Sequence, residues 1–543
     1  MSNGQWSPPT RQALPIVLVR GFGGLGVEDE KRIAYQGFND GTVYPGKRGE
    51  NYIYEGLILR FLKSFWQYQD ATNVVGYYSR PIQDPGRLPE ELSSLDPGFF
   101  SGDKVVIDPG MALHLVKSQA DPRRTLWVYR YYDLDDRQFE VYGNALVRLI
   151  DFICALIALH DPTVPPKVNI IAHSMGSLVV RQALQRTYPG RMATWQANGS
   201  QGTAPAMADD CINKVVTLGT PHQGIAFQVI KNWIGDAANE LKHFEPEFQK
   251  DPANQESFVH FGEHFPLERL LTVVGTNYRT YGQGAAVALN RLFSMSREFG
   301  LAYNRSDGLV TQDSAQVPGA PRTFVHKCHG GMDSLVTSRE AFEVATRFFF
   351  GNIRARLRLA SARITRGKDL FGKSEFYIGV RIKPRQVDFE LFHQSAEAEN
   401  CYGPFSEQDL SDGQPRLEWA GPSRLIWEGY LDVRPILDDP SRTTKDMVLR
   451  LDVYVGERDL LGIGFSDNVI FSRQVYVRAL LQPEFGMFLH LDEGFVTDPN
   501  SGTPMRRGGE GWLFDVAGDG FEATFRVEIE WVPEVGAPLP YGT

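Results

Sequence analysis

Ser174, in the run Lys-Val-Asn-Ile-Ile-Ala-His-Ser-Met-Gly-Ser (167–177), has the setting that most favours chemistry. An apolar β-type run, Val168 to Ile171, leads into a serine flanked by small residues, and an apolar-periodic helix follows from Leu178 to about Leu184. A sharp strand–turn–helix crossing of this kind lifts the hydroxyl out of the sheet edge, where a base can reach it. Ala172 and Gly176 leave room for the two backbones to cross. A serine hydroxyl is a poor nucleophile until a histidine takes its proton and a carboxylate fixes that histidine's tautomer. Behind a turn-mounted serine the acid comes next along the chain, then the histidine. Asp307, in Ser-Asp-Gly-Leu-Val, and His329, in His-Lys-Cys-His-Gly-Gly-Met, stand in that order, and Asp313 is the fallback acid. An Asp-Gly pair is also ordinary turn chemistry, so Asp307 has a structural reading beside the catalytic one. His326 competes with His329. It continues the strand register, whereas His329 lies in a glycine-flanked loop that can aim an imidazole at the serine.

Negative charge developing on a tetrahedral intermediate calls for preorganised N–H donors. One is expected from the amide of Met175, directly after the nucleophile. The other is expected from Phe22, in the loop Val19-Arg20-Gly21-Phe22-Gly23-Gly24 after the first strand. A glycine-rich loop behind a strand can instead cradle a dinucleotide phosphate, but this one is not G-x-G-x-x-G and no acidic residue is placed for a ribose. No cofactor and no metal ligand set is expected.

The elements that must position these residues alternate between strand and helix, the pattern of an α/β chain with a mostly parallel sheet. Strands are expected at Leu14–Val19, Thr125–Tyr131, Val168–Ile171, Lys214–Leu218, Leu270–Val274 and Arg322–Val325. Helices are expected at Tyr142–His160, Gly176–Arg186 and Ser338–Phe350. Segments 22–124 and 223–268 are too long for plain connections and read as insertions. Ile225–Phe244, apolar at helical spacing, reads either as a lid or as a packed helix. Past Gly351 short alternating strands take over: Ala355–Ala362, Glu375–Ile382, Leu449–Val455, Asn468–Val475 and Ala523–Trp531. That change predicts two domains, 1–351 and 352–543, the second an antiparallel β-sandwich.

With 42% hydrophobic and 22% charged residues in 543, the chain has ample material for a core. A net charge of −10 argues against nucleic acid as a partner. No cationic start followed by an apolar run marks a secretory signal, so synthesis in the cytoplasm is expected, with export by a signal-less route left open. The stretch Leu146–Leu159 reads as too short for a membrane span and carries Asp151. Cys154, Cys211, Cys328 and Cys401 show no paired spacing and read as reduced, buried thiols.

On these motifs about residues 14–350 resemble serine lipases and esterases of the α/β-hydrolase superfamily. Val19–Gly24 is similar to the His-Gly-Phe-Gly-Gly segment of those lipases, and Ala-His-Ser-Met-Gly is a variant of their G-x-S-x-G turn. Leu218-Gly219-Thr220-Pro221-His222-Gln223-Gly224 resembles a strand end shared with glycosylphosphatidylinositol-deacylase-like hydrolases. The resemblance implies an α/β-hydrolase fold, a Ser174–Asp307–His329 triad, and a non-catalytic His222. The chain departs from it at Ala172 and at Arg20, which stands where the family has histidine; Arg20 is a candidate for an anionic group on the substrate. In the second domain, residues 364–380 and 451–462 resemble the calcium-binding loops of the membrane-binding sandwich of protein kinase C. Asp369 and Glu375 stand at acidic positions, but Val455 replaces an expected Asp, so a calcium-free sandwich is expected.

The function these resemblances imply is hydrolysis of a lipid-like carboxylic ester through an acyl-enzyme. The sandwich is a candidate membrane-surface contact, through Phe371 and Lys373. A thioesterase or amidase would use the same residues. A non-catalytic adaptor docking to membrane or protein is the alternative of a different class.

Overall fold

The computed structural model describes residues 13–21, 55–131 and 260–280 with short breaks, 138–224, 305–364 apart from 331–332, 374–405 apart from 386, 424–459, 468–491 and 502–532 apart from 519, together with Phe244 and Phe258. The chain forms two compact units. The first comprises 1–273, 313–321 and 330–338, and the second 274–312, 322–329 and 339–543.

A seven-stranded sheet organises the α/β part. In spatial order its strands are Gln69–Asp70, Thr125–Tyr129, Ile16–Val19, Val168–His173, Ile212–Leu218, Leu270–Gly275 and Arg322–Val325. The ladders run parallel, with Val19 beside Ala172 and His173 beside Leu218. The strands Ile16–Val19, Val168–His173 and Leu270–Gly275 are mostly apolar and buried throughout, as a sheet covered on both faces requires. The edge strand Gln69–Asp70 belongs to the segment expected as an insertion, and pairs with Thr125–Leu126.

Helix Phe139–His160 covers this sheet with a face that includes Leu146, Leu149, Ile150 and Ile153, all at 0% exposure. It begins before the expected Tyr142, because Phe139 also packs into the core against Tyr142 and Phe244. The expectation that this region is too short for a membrane span fails: 22 residues suffice by length and composition, and 67% of the relevant window is buried within the fold.

The helix after Ser174 departs from the single element expected at Gly176–Arg186. It is α-helical over Met175–Gln182, widens into a π-helical turn over Ala183–Thr187, and continues as the helix Tyr188–Ala197. Pro189 falls where the π-helical turn gives way to that last helix.

The second unit carries two antiparallel sheets. One orders Leu425–Leu431, Ile353–Ile364, Phe521–Trp531, Gly511–Gly518 and Arg506–Gly508; the other centres on Ser374–Pro384, Lys445–Asp459 and Asn468–Gln482. Strict alternation builds the first: Ile353, Ala355, Leu357 and Leu359 are buried, while Arg354, Arg356 and Arg358 on the other face pair with Glu428, Glu528 and Glu530. The strands outrun the expected segments, since the polar residues at their ends still have cross-strand partners.

Candidate active site

Ser174 joins strand Val168–His173 to helix Met175–Gln182 with φ 52 and ψ −128. An L-residue occupies that region only where its surroundings force it, which concentrates such strain at functional sites. Three contacts enforce it. The Ser174 N–H donates to the Leu218 carbonyl at 2.9 Å, tying the turn to the neighbouring strand. A Cβ on Gly176 would lie 2.3 Å from the Arg20 carbonyl oxygen, so the loop after the first strand passes where only glycine fits. A Cβ on Gly21 would lie 2.9 Å from both His173 Nδ1 and Ser174 Cβ. The small residues therefore serve close backbone crossing. Met175 stands at the first helical position, where a backbone N–H has no acceptor within its own helix. Phe22, the other expected donor, lies outside the described residues.

Leu218–Gly224 braces this turn. Thr220 Oγ1 donates to Ser177 Oγ at 2.6 Å, on the first turn of the serine's helix. His222 is buried, with Nε2 3.0 Å from Thr217 Oγ1, and burial pushes its pKa well below the ordinary value, with Arg181 adding to the effect. Arg181 donates to the His222 carbonyl at 2.6 Å and lies over the Phe244 ring at 5.1 Å; burial lowers its pKa to about 9. Neither Ser177, Thr220 nor Arg181 was singled out by the sequence. The Ser-x-x-x-Arg spacing along one helix face was the only signal for the last. Arg20 is 5% exposed.

The second unit brings Asp307 and His329 together. His329 Nδ1 lies 2.8 Å from Asp307 Oδ2, both side chains being almost wholly buried. Because a carboxylate only accepts, Nδ1 is the donor. Asp307 Oδ1 accepts from the N–H groups of Leu309 at 3.0 Å and Val310 at 2.8 Å. The two readings of Asp307 thus hold at once: one oxygen caps the Asp-Gly turn, with Gly308 at φ 102, and the other holds the imidazole. A backbone bond from His329 N to Asp307 O at 2.9 Å fixes the same pair of loops. Asp313, the fallback acid, is exposed on the surface of the first unit.

His326 has other company. Its ring stacks on His393 at 4.7 Å and 18°, and its Nδ1 lies 3.2 Å from Thr276 Oγ1. Burial and the neighbouring His393 push its pKa down to about 4.

Among the described residues no group of three His, Cys, Asp or Glu side chains converges as a metal would need. Val455 is buried opposite Ile378 and Phe471, while Asp369, Phe371 and Lys373 lie outside the described residues. The lid candidate Ile225–Phe244 lies outside them too, except for Phe244. All four cysteines are buried, and none is in a disulfide.

The parallel sheet, the serine turn between strand and helix, and the antiparallel sheets that follow define an α/β-hydrolase fold joined to a β-sandwich. No family model matches the chain, and no curated protein matches it. Among solved structures it is similar to phospholipase PlaB from Legionella pneumophila, at 10% identity and TM-score 0.30 over 81% of this chain and 86% of that one. The same phospholipase in complex with thio-NAD gives 10% identity and TM-score 0.29 over 83% and 90%. A lipase from Staphylococcus hyicus gives 15% identity and TM-score 0.26 over 60% and 87%.

Proposed function

We propose that the chain is a serine hydrolase of carboxylic esters, with Ser174 as nucleophile, His329 as base and Asp307 as its orienting acid. The observation that carries this reading is the conformation of Ser174: a non-glycine residue held at positive φ between strand and helix, with glycines where any side chain would collide. In the proposed cycle His329 Nε2 takes the Ser174 proton as Oγ attacks the ester carbonyl. Asp307 stabilises the imidazolium without accepting the proton. The oxyanion is received by the amides of Met175 and Phe22. Collapse expels the alcohol, protonated by His329, and a water activated by the same imidazole then releases the acid and regenerates the serine.

The preference for a lipid-like ester rests on the sequence resemblance to lipases, and a thioester or amide would pass through the same steps. A fluorophosphonate probe should label the protein and fail to label Ser174→Ala, which should also lose hydrolysis of p-nitrophenyl esters. Absence of labelling in the folded protein would leave the adaptor reading standing. A chain-length series of esters, with thioesters, amides and phospholipids alongside, decides the substrate class.

A further inference from the structure

A cleft of about 930 Å³ opens in the first unit, and neither Ser174 nor Met175 lines it. Its size falls in the range of small-molecule sites. Its walls come from the start of helix Phe139–His160, from the chain just past the serine's helix, and from helix Tyr188–Ala197. Gln182 closes the serine's helix, eight residues and roughly 12 Å of helical rise from Ser174.

Three observations mark the cleft as built rather than incidental. The wall carries the π-helical turn Ala183–Thr187, an irregularity that recurs at functional sites. Gln182 lines the cleft at only 5% exposure. Thr187 lines it at 8% exposure, and its Oγ1 is buried with no partner among the described residues. Buried polar atoms are rarely left so unless something else supplies the bond.

The lining chemistry narrows the ligand. Arg186 and Glu140 face the cleft with opposite charges, and Arg191 is neutralised by Asp151 at 2.7 Å. Charges of both signs on the wall do not single out a phosphate or a carboxylate. Asn144, Thr194, Asn198 and Thr203 add neutral hydrogen-bonding groups beside the aromatic rings. Amide and hydroxyl side chains that both donate and accept suit hydroxyl groups, which do the same. Trp195 supplies a flat apolar surface, its ring anchored by a bond from Nε1 to the Gln201 carbonyl at 3.0 Å. Phe139, Phe244 and Phe258 also line it and are almost wholly buried.

We propose that this cleft binds a neutral polyhydroxylated ligand, a sugar ring or short glycan, at a site separate from the serine. Hydroxyls meet Gln182 and Asn144, and one face of the ring lies on Trp195. The site does not depend on the hydrolase reading.

The test uses the full chain, with methyl glucoside, methyl galactoside, maltotriose and glycerol as probes, and oleate and inorganic phosphate as contrasts. Saturation-transfer NMR and calorimetry read binding. At least one glycoside is expected to bind. Asn144→Ala and Trp195→Ala should each weaken it by about tenfold or more. The exposed Asn144 makes its variant safe for folding, and hydrolysis of a soluble ester should be unchanged in it. Ser174→Ala should bind the glycoside as the parent does, so loss of catalysis and loss of this site are told apart. The proposal is overturned if no glycoside binds, if Asn144→Ala and Trp195→Ala bind as well as the parent, or if oleate or phosphate is the probe whose binding those variants lose.

Discussion

His326 and His329 stand three residues apart on one loop and meet opposite surroundings. His329 faces a buried carboxylate whose second oxygen is locked by two backbone amides. His326 faces another imidazole, and a hydroxyl is its hydrogen-bond partner. A carboxylate fixes a tautomer and stabilises the charged ring, whereas a stacked histidine and burial resist that charge. Sequence alone offers the same residue type twice. The partner separates the proposed base from a packing ring.

The largest expected effect breaks this comparison at its strong end. His329→Ala should lower kcat for ester hydrolysis by about a million-fold, comparable to Ser174→Ala, because nucleophile and base act as a unit. His326→Ala should leave kcat within about tenfold, the loss coming only from loosened packing of the loop. If the two variants lost activity equally, His326 would share the chemistry and the contrast drawn from their partners would be wrong.

Asp307→Asn tests the carboxylate itself. The amide can still cap the Asp-Gly turn through its oxygen, yet it presents an N–H or a neutral oxygen to His329 and loses the preference for one tautomer. A fall in kcat of roughly 10⁴-fold is expected, with stability little changed. Steady-state kinetics with a thermal melt separates the two roles of this residue. A folded variant with near-parental kcat would reduce Asp307 to a turn former.

Much of this arrangement was legible because local chemistry carried it. The apolar strand, the small residues around Ser174 and the Asp-Gly turn are consequences of backbone crowding, and crowding leaves its mark on neighbouring residue types. Chain order then nominated Asp307 and His329. What stayed hidden depends on residues distant in sequence. His393 reaches His326 across 67 positions of chain with no pattern linking them. Residues 176–186 keep a helical period throughout, so the π turn left no trace. The length of helix Phe139–His160 was underread because Phe139 is held by Tyr142 and Phe244 rather than by propensity.

Gly176→Ala probes the same contrast from the serine's side. The added methyl would meet the Arg20 carbonyl, which is backbone and cannot swing away. Overpacking of this kind costs about 1–3 kcal/mol, and the shift of the turn should reduce kcat as well. Chemical denaturation with kinetics on the folded fraction measures both. Parental stability would mean that the loop yields more easily than its geometry implies.

The smallest expected effect concerns His326 and acid. Its pKa, lowered to about 4 by burial and by His393, lies below the value of about 6.5 in an unfolded chain. Between those two values the unfolded chain binds the proton and the folded chain resists it, so stability rises with pH across that window. The contribution is complete above about pH 6.5 and is lost as pH falls toward 4. Glu390 and Glu397 favour protonation from their side, while Arg381 and His393 oppose it, and burial sets the balance. His326→Gln, which keeps a hydrogen-bonding group toward Thr276 and cannot titrate, should flatten the slope of unfolding free energy against pH between 4 and 6.5 by up to one proton's worth, with little change near neutrality. His329→Gln measured alongside shows whether the flattening belongs to His326. An unchanged slope in His326→Gln would mean that the ring takes up its proton in the folded state without resistance, and the stacked pair would then not differ from the carboxylate-bound one in the way argued from their partners.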